Sequence, residues 1–179
     1  MAKNGYIIET RIAAKNVDAY NRTAQCEADL DGGALVELGE MTGDVFTATK
    51  VTATGKTGLW MAYNPSEHYT VVGDKFFAGL SADPRDYTNI KNRPLDVFKP
   101  QVGDLVGFTA GNIKSGDLAS VVVNDYLEPE SGGQLARKQT SPTASTTSFK
   151  VVQIKTIPMP QAKIGMEEVK VFIAECVQN

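Results

Sequence analysis

The chain has 179 residues, 42% of them hydrophobic and 22% charged, with a net charge of −3. That length supports one domain with a sizeable core and no need of disulfides or a metal to fold. The mild acidity and the scattered placement of Lys91, Arg93, Arg137 and Lys138 argue against a general nucleic-acid binder, which carries a basic stripe, and no apolar run is long enough for a membrane helix.

Residues 7–13 (Ile7-Ile8-Glu9-Thr10-Arg11-Ile12-Ala13) read as a first strand or an N-terminal arm. Asp31-Gly32-Gly33, between apolar runs, predicts a hairpin joining 24–30 to 34–39. Val45 to Val51 alternates, and Gly58 to Tyr63 is apolar almost throughout, as in a strand buried on both faces. Asn64-Pro65 ends that run, because proline cannot donate to a ladder. Pro84, Pro94 and Pro100 make 81–100 mainly an ordered loop, with one helical turn begun by Ser81, Asp83 and Pro84. Strands are predicted over Val102–Thr109 and Leu118–Val123. Residues 128–148, rich in Ser, Thr, Gly and Pro, read as an exposed loop or arm, mobile when free. The chain re-enters a strand at Phe149–Ile154 and ends with Val169–Val177, too apolar to trail outside a sheet.

Gly-Asp opens an apolar run four times, at Gly43-Asp44, Gly73-Asp74, Gly103-Asp104 and Gly116-Asp117. Glycine supplies the positive φ of a tight turn and aspartate bonds the local backbone. The expected fold is therefore mainly β: a single β-barrel or β-sandwich. Its parts are 1–20 as N-terminal arm or first strand, 21–127 as β core, 128–148 as the flexible loop or arm, and 149–179 as strands completing the core.

Side chains for chemistry are few. His68 is the lone histidine and follows a strand-ending proline, so a loop-packing role is expected. Cys26 and Cys176 sit in strand-like segments and read as reduced core residues. Gly55-Lys56-Thr57 resembles the end of a phosphate loop, but Lys50 stands where its first glycine belongs. Asp29, Asp31, Asp83, Asp86, Asp117 and Asp125 lack the spacing of a calcium-binding EF-hand. Trp60, Tyr63 and Tyr69 offer either a sugar-stacking platform or core packing. No catalytic, metal-ligating or cofactor-binding residue is assigned, and the expectation is a binding or structural protein rather than an enzyme.

The order of several segments carries a resemblance. Gly33-Ala34-Leu35-Val36-Glu37-Leu38-Gly39 precedes a Phe/Thr/Ala strand. The apolar strand ending at Asn64-Pro65-Ser66-Glu67 leads to a loop with Arg93-Pro94. Then come Val102-Gly103-Asp104-Leu105-Val106-Gly107-Phe108-Thr109-Ala110, and Phe149-Lys150-Val151-Val152 with Ile157-Pro158. Over 33–158 this resembles small virion proteins of tailed bacteriophages encoded beside the major capsid protein. The N-terminal segment is longer here, and the Ser/Thr-rich stretch around 131–147 is an insertion. The resemblance implies a capsid decoration or cement protein on the virion surface, made in the host cytoplasm. Its implied partners are the major capsid protein and neighbouring copies of itself, with a homo-oligomer allowed, and neither nucleic acid nor membrane. Tyr6, Ile7, Ile8 and Ile12, with Gln134, Leu135, Arg137 and Lys138, are the expected contacts. Other readings are a tail-tube, connector or head-fibre base protein, a carbohydrate-binding module using Trp60 or Tyr69, and a hydrolase using His68.

Overall fold

A computed structural model describes residues 3–66, 68–72, 75–79, 81–161 and 165–179. Gly73-Asp74 lies outside the described residues.

The fold is mainly β and has two principal parts. The first is a closed barrel of five strands: β2 (Asn21–Cys26), β3 (Leu35–Thr42), β4 (Val45–Lys50), β5 (Trp60–Ala62) and β8 (Pro94–Phe98), joined around the ring as β2-β4-β3-β5-β8. A five-stranded ring is narrow, and its filling is correspondingly small: Ala24, Cys26, Ala34, Val36, Ala48, Ala62, Leu95 and Val97 form one buried cluster. Period-2 alternation then turns Leu35, Met61 and Phe98 outward, onto the second part.

That second part is an antiparallel sheet in the order β1-β9-β13-β12-β10-β11. Its strands are β1 (Ile7–Arg11), β9 (Leu105–Thr109), β10 (Tyr126–Pro129), β11 (Leu135–Lys138), β12 (Ser148–Pro160) and β13 (Met166–Gln178). Its inner face brings Ile7, Phe108, Phe149, Val151 and Phe172 against Leu35, Met61 and Phe98 of the barrel. Phe108 and Phe149 meet edge to face with ring centroids 5.3 Å apart. A two-stranded ribbon, β6 (Tyr69–Val72) with β7 (Lys75–Ala78), pairs with neither part. Helix among the described residues is confined to short 3-10 turns.

Several expectations hold. Val45–Val51 gives β4, entered by a two-residue turn with Gly43 at φ 64°. The C-terminal strand is paired on both sides, by β9 and β12. Asp83 caps the turn Pro84–Asp86, its carboxylate accepting from the Arg85 N–H. Both cysteines are free and buried.

Others are corrected. Asp31-Gly32-Gly33 makes a turn, but β2 and β3 do not pair. β2 lies parallel to β4 and antiparallel to β8, because its small inward residues Ala24 and Cys26 complete the barrel filling. Pro94–Phe98, expected within a loop, is β8. Pro94 takes the first strand position, where its missing N–H is tolerated. Leu118–Val123 is no strand. Its backbone turns back on itself, with the Leu118 N–H on the Lys114 carbonyl and the Val122 N–H on the Asp125 carboxylate.

Residues 138–145 are almost all exposed, as a loop would be, but 128–148 as a whole is built into the sheet. The stretch begins in β10, contains β11 and ends with Thr146, Thr147 and Ser148 buried. The Glu128 carboxylate anchors the polar stretch, accepting from the Thr143 N–H, the Thr143 hydroxyl and the Ser148 hydroxyl.

Candidate interaction surfaces

The expected contact residues fall into two groups on opposite edge strands of the six-stranded sheet. Ile7 and Ile12 are buried at 1% and 5% exposure, and Leu135 at 0%, so their side chains fill the protein's own core. They are corrected from contact to core residues: strand alternation points Ile7 and Leu135 at the barrel, and Ile12, just past the end of β1, packs into the same cluster. Tyr6 and Ile8 are half-buried and pack on a smaller apolar cluster on the outer face. Burial, then the nearby Glu9 carboxylate, pushes the Tyr6 hydroxyl up. On the other edge strand, Arg137 braces a turn: its Nε donates to Asp125 at 2.5 Å and its N–H to Asp117 at 3.0 Å. Gln134 and Lys138 remain exposed, Gln134 donating to the Gly111 carbonyl.

The sheet edges are closed to strand addition at specific points. On β1, the Asn64 side chain both accepts from and donates to the backbone of Ile7. On β11, the Leu135 carbonyl takes the Lys114 N–H, and the Arg137 N–H is taken by Asp117. The far half of β12 carries Pro158 and Pro160 at alternate positions. Pairing to β13 runs through both, which fits their missing N–H groups facing the outer edge. The barrel, being closed, has no edge.

The β6–β7 ribbon is different. It carries Phe77 at 50% exposure and Tyr69 at 36%. At its base the exposed His68 ring stacks on Tyr87, with centroids 4.5 Å apart, and the Gly79 N–H meets the His68 carbonyl.

Trp60 is not a free platform. It packs against the barrel filling, and the Arg22 guanidinium lies 5.6 Å from its ring and 5.9 Å from that of Phe46. An open depression of about 510 Å³ lies here, lined by Arg22, Phe46 and Tyr63 with Asp18, Asp44 and Asp96. Burial, followed by the charges of Glu9, Asp96 and Asp104, pushes the Tyr63 hydroxyl up to about 12.

The outer face of the sheet holds a row that no sequence pattern announced. Direct cross-strand partners share a face, and the register runs Lys138, Tyr126, Lys150, Glu175, Leu105, Arg11 across all six strands. Leu105 packs on the outer cluster, which places the row on the face turned away from the barrel. Among the described residues no three His, Cys, Asp or Glu side chains gather as a metal site, and no helix is long and apolar enough to cross a membrane.

No family model matches this chain, and no curated protein or solved structure is detectably similar to it.

Proposed function

We propose that this protein is a non-enzymatic structural component of a phage virion, binding the assembled capsid as a decoration or cement protein. The observation that carries the reading is the β6–β7 ribbon, which lies outside both principal sheets and carries Phe77 half exposed. A two-stranded ribbon is marginal in water by itself, so packing against a partner surface is favoured. A capsid surface covering the exposed half of Phe77 would contribute on the order of 1 kcal/mol per copy. Such weak contacts suffice when many copies decorate one lattice. The barrel and sheet supply a stiff body, and the blocked sheet edges favour docking by faces and ribbon over strand exchange.

The test is co-sedimentation of the purified protein with phage shells stripped of small accessory proteins. Saturable binding at a fixed ratio to the capsid subunit is expected, weakened by Phe77→Ser without loss of folding. Absence of binding, with closed rings or tubes that survive about 1 M salt forming instead, would replace this reading by the tail-tube one.

A further inference from the structure

We propose that the outer face of the six-stranded sheet docks onto the barrel mouth of a second copy of this chain, head to tail, through lysine–aspartate contacts. The inference stands apart from the virion reading and rests on two surfaces of opposite charge.

The first surface is cationic in an acidic protein. Lys138 and Lys150 flank Tyr126 on three adjacent strands. Strands lie about 4.8 Å apart, so the two lysines stand roughly 10 Å from each other. Lys155 follows on the same face of β12, since it pairs with Val171 of the outer cluster. Lys138 and Lys155 are exposed and Lys150 is half-buried. Glu175 is the carboxylate facing Lys150 in the row. Glu128 shares the face but is buried, its oxygens taken by Thr143 and Ser148. Among the described residues none of the three lysines has a carboxylate within ion-pair distance.

The second surface is the depression at the barrel mouth. Asp18, Asp44 and Asp96 are exposed around it, and none of them has an ion-pair partner among the described residues. Arg22, the guanidinium there, spends its polar contacts on the backbone carbonyls of Asp18 and Asn21 and its face on Trp60 and Phe46. Three carboxylates thus face one cation in a hollow with room for a lysyl side chain.

The lysine face cannot satisfy its own barrel mouth, because it is the face turned away from the barrel. The two surfaces complement one another only between molecules. Contact between unlike patches is heterologous, so it propagates into rings or rows instead of closing as a twofold dimer. Exposed ion pairs are individually weak and salt-sensitive, so the association is weak in dilute solution and grows with concentration.

The experiment is sedimentation of the full chain over a range of concentrations. At low ionic strength the wild type is expected to form dimers and longer species that dissolve near about 1 M salt, where the Debye length is about 3 Å. Lys138→Glu with Lys150→Glu and Lys155→Glu should raise the dissociation constant at least about tenfold, as should Asp18→Lys with Asp44→Lys and Asp96→Lys. Mixing the two charge-reversed proteins should restore association, since each then carries the complement of the other. Circular dichroism identical to wild type shows that folding is kept. A wild type that stays monomeric at low salt, association untouched by either reversal, or a mixture that fails to associate would each overturn the proposal. Capsid binding is read separately, so either idea can fail without the other.

Discussion

Asn64 acts as a surrogate strand for Ile7. Its Oδ1 accepts from the Ile7 N–H at 2.8 Å and its Nδ2 donates to the Ile7 carbonyl at 2.7 Å. One side chain therefore satisfies both outward backbone groups at the start of an edge strand, where an open pair would invite another chain. Asn64→Ala should cost about 1–3 kcal/mol, the penalty of leaving such groups unpaired. Gly32→Ala should act through the same contact, because a Cβ there would stand 2.2 Å from the Asn64 Oδ1. The two losses should fall short of additive in the double variant. Urea unfolding at constant m-value checks this, and full additivity would separate the two sites.

Asp83 and Arg85 anchor a second junction. Arg85 Nε and Nη2 grip the Asp83 carboxylate at 3.0 and 2.9 Å, Arg85 also pairs with Glu167 on β13, and Lys3 pairs with Asp83 and Asp86. Burial alone would push the Asp83 carboxyl up, but the hydrogen bonds from Arg85 and Lys3 outweigh it and hold it below its ordinary 3.8. A carboxyl lowered on folding stabilises above its unfolded value, and that stability is lost as the pH falls through the folded one. Stability should therefore decline as the pH drops below 3.8, and Asp83→Asn should flatten the decline. Arg85→Met, which leaves the buried Asp83 with only Lys3 and the residue-85 N–H as partners, should cost about 1–3 kcal/mol near neutrality. Denaturation midpoints measured against pH decide it; identical slopes for wild type and Asp83→Asn would remove Asp83 as the cause.

Local signals in the sequence were legible where the structure is local. Gly43-Asp44 and the alternation after it give a turn and β4, and Asp83-Pro84 gives a capped turn. The barrel was legible as a class but not in its pairing. Ala24 and Cys26 choose β4 and β8 as neighbours through a shared interior, and nothing within 24–39 encodes that choice. Leu118–Val123 has strand-like composition, yet the Asp125 carboxylate bends it by accepting the Val122 N–H. Glu128 ties down a polar loop that composition alone reads as mobile, and the loop's end, Thr146, Thr147 and Ser148, is buried. Lys138 and Lys150 are brought together by register across two strand pairs through Tyr126, so no single segment contains the pair.

The cysteines give a direct probe of core integrity. Cys176 is fully buried, and desolvation pushes its thiol up to about 12, while Cys26 is 4% exposed within the barrel. Near about pH 8 the native protein should leave both thiols unreacted with a disulfide reagent, because the thiolate is the nucleophile. Denaturant should release two reactive thiols per chain. A raised folded value also means that Cys176 contributes stability below its ordinary 9.0, which is lost as the pH rises toward the folded value. Reaction of Cys176 in the native state would show that the sheet opens at β13.

Two glycines separate a close approach of side chains from one of backbones. At Gly107 an added Cβ would meet Val171 Cγ1 at 2.9 Å and Ile8 Cβ at 3.0 Å, both side-chain atoms on the outer face. At Gly111 it would meet the backbone of Asn4 and Gly5 at 2.5 Å. Val171 yields by changing rotamer and the Ile8 contact needs a shift of only a few tenths of an ångström, whereas the Asn4–Tyr6 backbone, met at 2.5 Å, is tied down by the Asn4 N–H on the Arg85 carbonyl, the Gly5 N–H on Asp31 and the Tyr6 N–H on Thr109. Gly107→Ala should therefore cost about 1–2 kcal/mol, in the range of ordinary overpacking. Gly111→Ala should cost more and should expose the amides of residues 4–6 to hydrogen exchange, because the only relief is to displace that segment. Equal destabilisation by the two variants, with residues 4–6 still protected in Gly111→Ala, would show that the N-terminal segment can shift without giving up its anchors.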